Sequence, residues 1–222
     1  MNYKLSSYPN SFLKIDFDPG ERIIIESGAL LYSSGEYSFE KKYEAKSMNS
    51  WIAKLFGGKS LTYNVYTAKD SIDMVFSPKQ NSEVLMLEVE EDKPIVFRSS
   101  AHFARTQGLE VALTRTKLKS KLFAGLKLKT FGSGTLFLKA FGRILKQEID
   151  SDKPLYVDED ALLAYDSSIQ VKAISKGLKE TVTSGEGYLF TLQGRGRFWL
   201  QTRKKPEKSG GNGIIGVIVD AF

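Results

Sequence analysis

The sequence predicts an all-β protein built from three copies of one strand-rich unit. Three features carry that prediction: a segment that recurs at a fixed offset, apolar residues that alternate with polar ones, and glycine pairs at corresponding places in successive copies. Alternation with period two is the signature of a strand with one buried face. Repetition over tens of residues marks units that cannot each close a core alone.

Residues 85–119 align with 145–179 without a gap and share ten identities in 35 positions. Ordinary residue usage would give about two or three by chance. The shared residues include Leu85/Leu145, Glu88/Glu148, the Asp-Lys-Pro run at 92–94 and 152–154, and Ala101/Ala161, which are expected at matching buried positions. A third copy starts at Leu13 and keeps the leading Leu, the opening Ile15-Asp16-Phe17-Asp18 and the central Ala29. The expected organisation is one domain over 1–222 with repeats at about 13–84, 85–144 and 145–205 and a C-terminal strand at 213–219.

The elements follow in order. Leu13, Ile15 and Phe17 alternate with polar residues as an opening strand. The clearest helical stretch is Ser47 to Phe56, capped by Ser47 or Asn49 and stopped by Gly57-Gly58. Strands then follow at Leu61/Tyr63/Val65, Leu126/Leu128 and Tyr188/Phe190/Leu192. Gly-Ser-Gly at 132–134 and Gly-Arg-Gly at 194–196 read as corresponding turns between strands. Gly58-Lys59-Ser60 looks like the end of a phosphate loop, but Ala53 stands where the first glycine is required. The expected order is also helix then strand, the reverse of what a phosphate cradle needs.

Composition bounds the chemistry. The chain has no cysteine, so disulfides and thiolate chemistry are absent and a cytoplasmic setting is the natural reading. The longest apolar run, 214–219, is too short to span a bilayer, and the N-terminal stretch lacks the apolar core of a secretory signal. His102 is the only histidine, which leaves no histidine-based triad or metal site and points to a structural role. The pairs Asp16/Asp18, Glu88/Glu90 and Glu148/Asp150 each put two carboxylates on one strand face, about 7 Å apart. Because apolar residues occupy the other face, a solvated acidic face is the preferred reading over a cation site or a catalytic pair. No cofactor or metal is indicated.

The formal charge is +6, and residues 111–147 hold nine basic side chains and no acid. Lys117, Lys119, Lys121, Lys127 and Lys129 fall on one strand parity with leucines on the other, as a stripe suited to phosphates or acidic side chains, or simply to water. Arg195, Arg197, Trp199, Gln201 and Arg203 share the parity of a later strand. That arrangement fits a packed Trp with salt-bridged Arg neighbours, a subunit contact, or base stacking.

The segments ESGALLY, GLKLKTFGSGTLFLKAFG, LYVDEDALLAYDSSIQV and SGEGYLFTLQGRGRFWLQTR resemble the mitochondrial-biogenesis family named for altered inheritance of mitochondria, over nearly the whole chain. The resemblance implies an all-β fold of three repeated β-sandwich or short double-stranded β-helix units, similar to the tryptophan RNA-binding attenuation protein and assembled into rings. It implies no enzyme activity and no catalytic residues. Lys59 departs from the Glu of the family pattern, as seen in Gly185-Glu186-Gly187. The reading that follows is a non-enzymatic oligomeric scaffold or protein-binding module, with a homotrimer favoured. The alternative is a nucleic-acid-binding ring using the basic strands, and an enzyme ranks third.

Overall fold

In a computed structural model of the chain, the described residues are 1–6, 9, 11–43, 62–114, 127–174 and 189–204. They form seventeen β-strands and a single 3-10 turn at Ser99–Ala101. The helix expected at 47–56 and the strand expected at 213–219 lie outside the described residues.

The first seven strands are β1 (Asn2–Leu5), β2 (Leu13–Phe17), β3 (Arg22–Glu26), β4 (Leu30–Ser33), β5 (Tyr37–Tyr43), β6 (Thr62–Ala68) and β7 (Ile72–Phe76). Next come β8 (Ser82–Val89), β9 (Ile95–Arg98), β10 (His102–Thr106), β11 (Leu109–Leu113), β12 (Lys127–Gly132) and β13 (Gly134–Phe141). The last are β14 (Ile144–Asp158), β15 (Leu162–Asp166), β16 (Gln170–Ile174) and β17 (Leu189–Gln201). They pair antiparallel in three sheets, ordered β1-β2-β7-β4, β5-β6-β3-β10-β13-β8 and β11-β12-β9-β15-β17-β14, with β16 also on β17.

The sheets are layered by alternation of side chains. One core cluster joins Leu13, Ile15, Phe17, Met74 and Phe76 of the first sheet to Ile23, Ile25, Phe103 and Phe137 of the second. Another joins Leu87, Leu136, Leu138 and Ala140 of the second sheet to Phe97, Leu128, Ala164 and Trp199 of the third. Phe137 and its neighbours Leu136 and Leu138 thus serve opposite faces, so the second sheet is sandwiched, and its β13 reads as a nearly continuous apolar run.

The third sheet also packs on itself. Phe190 and Phe198, near opposite ends of β17, share one cluster with Val96, Ile149, Val157 and Tyr165, which requires the long β14–β17 ribbon to curl. The register of that ribbon shifts between Ser151, opposite Gly194, and Leu155, opposite Leu192, while Gly194 and the nearby Gly196 have φ values of 106° and 151°. Extra residues in one strand and glycines at positive φ are the usual means of bending a ribbon.

The same irregularity occurs at three pairings. Leu30, Tyr32 and Ser33 face Phe76, Val75 and Met74, with a shift between Leu30 and Tyr32. His102, Ala104 and Arg105 face Leu138, Phe137 and Leu136 with the same shift, and so do Leu162, Ala164 and Tyr165 with Leu200, Trp199 and Phe198. Ala29 and Ala101, which precede the first two of these strands, are buried. Ala161, expected to match them, is only half-buried.

Candidate functional site

The basic residues singled out from the sequence do not form one open face. Lys117, Lys119 and Lys121 lie outside the described residues. Lys127 is 9% exposed, which corrects the expectation of a solvent-facing stripe, and Lys129 is half-buried. Leu128 does point to the opposite face, into the core between the second and third sheets. The face carrying Lys127 is covered in turn by the curled ribbon, whose Phe190 ring centroid is 4.0 Å from the lysine Nζ.

The later strand disperses in the same way. Trp199 is 2% exposed and belongs to the core, so it offers no surface for a partner or a base. Arg197 grips Asp166 with Nε–Oδ2 and Nη2–Oδ1 distances of 3.0 Å and lies 5.3 Å from the Trp199 ring centroid. The hydrogen bonds to Asp166 raise the guanidinium pKa above its ordinary value. Arg195 is exposed and paired with Asp150. Arg203 is exposed, and its backbone N–H donates to Phe141 O at 3.2 Å. Gln201 is buried and bridges elements, donating from Nε2 to Asp160 O at 2.8 Å and accepting from the Phe141 N–H at 3.2 Å.

The three acid pairs face solvent, while Leu13, Ile15, Phe17, Leu87 and Val89 point inward. Among the described residues no group of three acidic or histidine side chains is placed to hold a metal ion.

Two buried polar clusters were not legible in the sequence. In the first, His102 lies between the Phe97 ring, stacked at 6.0 Å, and the Tyr63 ring, met edge-on at 4.5 Å. Arg105, with 0% exposure, donates from Nε to Leu109 O at 2.9 Å and from Nη1 to His102 Nε2 at 3.1 Å. A guanidinium can only donate, so Nε2 accepts and the imidazole proton resides on Nδ1. Neither that Nδ1 nor the Tyr63 hydroxyl has a partner among the described residues. Burial pushes the His102 imidazole down to about 3 and the Arg105 guanidinium down to about 10.

The second cluster surrounds Lys127. Its Nζ is 4.0 Å from the Phe190 centroid and 5.2 Å from that of Tyr165. Directly across the strand pair is Arg98, which reaches Asp160 Oδ1 at 3.3 Å and Glu159 Oε1 at 3.9 Å. Burial lowers the Lys127 amine to about 8, with Arg98 adding to the effect, and raises the 7% exposed Glu159 carboxyl to about 7. Opposite shifts on neighbouring buried groups are a physical marker of a reactive or ligand-binding position. The Asp-Glu-Asp run at 158–160 gave no warning, because three consecutive acids read as a solvated turn.

A different surface is presented by the sheet edges. Most of the large exposed apolar side chains lie on them: Leu31 and Tyr32 on β4, Phe39 on β5, Met86 on β8, and Leu145, Leu155 and Tyr156 on β14, with Phe131 on the interior strand β12 and Phe12 before β2 as exceptions. Tyr156 is 61% exposed and Leu31 62%.

Comparison with known proteins places this fold. The family described as Mitochondrial biogenesis AIM24 matches residues 3–203. The chain belongs to that family. A relative in sequence, an uncharacterised protein of Streptococcus pyogenes serotype M6, is 22% identical over 203 residues, covering 86% of this chain and 80% of its own length. A crystal structure of a Streptococcus pyogenes protein superposes with a TM-score of 0.73 at 18% identity, covering 91% of this chain and 94% of that one. This likeness concerns the fold.

Proposed function

We propose that this AIM24-family chain is a non-enzymatic scaffold of three related β units that associates with copies of itself, as a homotrimer, to present a binding surface for another protein. The observation that carries the reading is the concentration of exposed apolar side chains on the edge strands β4, β5, β8 and β14. An edge strand offers unpaired N–H and C=O groups, and proteins charge such edges, cover them or join them in symmetric assemblies. Leu155 and Tyr156 on β14 are uncharged and exposed, and β14 ends its sheet among the described residues, so this edge invites pairing. The recurring strand irregularity at β4, β10 and β15 supports the triplicated unit, with boundaries at about 13–84, 85–144 and 145–205.

The nucleic-acid alternative loses support from the same geometry. Lys127 is buried, and Arg195 and Arg197 are already paired with acids. Light scattering of the purified chain tests the assembly. The expected mass is three times 24.8 kDa at low micromolar concentration. A monomer throughout that range would end the scaffold reading.

A further inference from the structure

Lys127 is held in an unusual way. Two aromatic rings flank its amine at 4.0 and 5.2 Å, and among the described residues no hydrogen bond or ion pair holds it. The two ring faces offset only part of the hydration a buried ammonium loses, and no carboxylate or set of acceptors among the described residues completes it. The neighbouring buried carboxylate, Glu159, faces Arg98 instead. Lys127 therefore combines a buried side chain, an amine engaged among the described residues only by two ring faces, and an acidic neighbour, Glu159, whose charge acts on it.

We infer that Lys127 is a modification site at which the neutral ε-amine adds carbon dioxide to form a carbamate. The nitrogen lone pair attacks the carbon, an N–C bond forms and one C=O π pair moves to oxygen. The amine proton passes to the Glu159 carboxylate. One anion is created as another is neutralised, so the net charge of the cluster is unchanged and no oxidant or reductant is consumed. Arg98, opposite Lys127 in the strand register, supplies the cation that faces the new carboxylate. Size selects the reactant: an amine on a residue 9% exposed, walled by Phe190 and Tyr165, admits a small, uncharged molecule, whereas a bulky aldehyde or acyl donor would require the β14–β17 ribbon to open. Nucleophilicity agrees. With its amine lowered from 10.5 to about 8, the neutral fraction of Lys127 near neutral pH exceeds that of an ordinary lysine by roughly three hundredfold.

The full-length protein is equilibrated with carbon-13-labelled bicarbonate, and the carbamate carbon is sought by NMR. Alkylation of the carbamate oxygen followed by peptide mass mapping then locates the adduct without any variant. The expected result is a carbamate at Lys127 at least about tenfold above that at exposed lysines such as Lys69 and Lys146, given the tenfold per pH unit in neutral fraction. It should vanish in Lys127→Arg and in Lys127→Met, whose apolar stem still packs on Phe190, and persist in Lys129→Arg. The absence of a carbamate in the folded wild type, or labelling spread evenly over the exposed lysines, would overturn the assignment.

Discussion

Lowering the pH from about 7 to about 5 should act on two buried groups in opposite directions, and single substitutions should separate them. His102 falls from 6.5 in the unfolded chain to about 3 in the fold. Between those values the unfolded state binds the extra proton, so stability is lost as pH falls. At about pH 5 the unfolded imidazole is protonated with a free-energy gain of about 1.4 kcal/mol per pH unit over about one and a half units, or ~2 kcal/mol. Glu159 behaves oppositely, because its carboxyl rises from 4.5 to about 7. There the folded state binds the extra proton, and acidification stabilises. The undiscounted gain is also about 2 kcal/mol, but the carboxylate sits at a turn beside Arg98, and allowing for screening leaves ~1 kcal/mol. Lys127 contributes little slope in this window, since both its folded value of about 8 and its unfolded value of 10.5 lie above it. Urea unfolding at the two pH values, on the wild type and two variants, checks these signs. His102→Gln keeps an acceptor for Arg105 and should remove the acid loss, so relative to the wild type it gains about 2 kcal/mol on going to pH 5. Glu159→Gln should lose about 1 kcal/mol relative to the wild type over the same step. Baseline differences between variants do not matter, because only the change with pH is compared. Three parallel pH profiles would refute the assignment of His102 and Glu159 as buried, shifted groups.

Other outcomes follow from packing and edges. Trp199→Ala should cost about 3–5 kcal/mol in chemical denaturation, because a fully buried indole leaves a large cavity; a cost below 1 kcal/mol would place Trp199 outside the core. Gly134→Ala should lower stability by about 1–3 kcal/mol in thermal unfolding. Its φ is 152°, and an added Cβ would stand 2.3 Å from Thr106 Oγ1. Replacing Leu155 and Tyr156 together by Lys should lower the light-scattering mass to that of a monomer while the far-ultraviolet circular dichroism is retained, if β14 joins copies of the chain.

The strand content was legible because its signal is local. Leu13, Ile15 and Phe17 alternate with Lys14 and Asp16 in the sequence, and the three apolar side chains are buried while Asp16 is exposed. Burial of one face of a strand needs only a period of two, which any short stretch can display. The exposed acid pairs were legible for the same reason. The candidate site was not. The spacing of Lys127 and Lys129 correctly puts them opposite Leu128, but parity names a face without saying whether that face meets water or another part of the chain.

By itself the sequence determined the fold class, the family resemblance and the side of each strand that must be buried, because these depend on backbone geometry and on the order of apolar and polar residues. Tertiary structure decided what covers each face. The curl of the β14–β17 ribbon brings Phe190 over Lys127, although they are far apart in sequence. The approach of the second and third sheets encloses His102 between Tyr63 and Phe97. Desolvation and Coulomb interactions act through space between side chains from separate strands, so the shifted lysine, carboxyl and imidazole exist only once those strands have met.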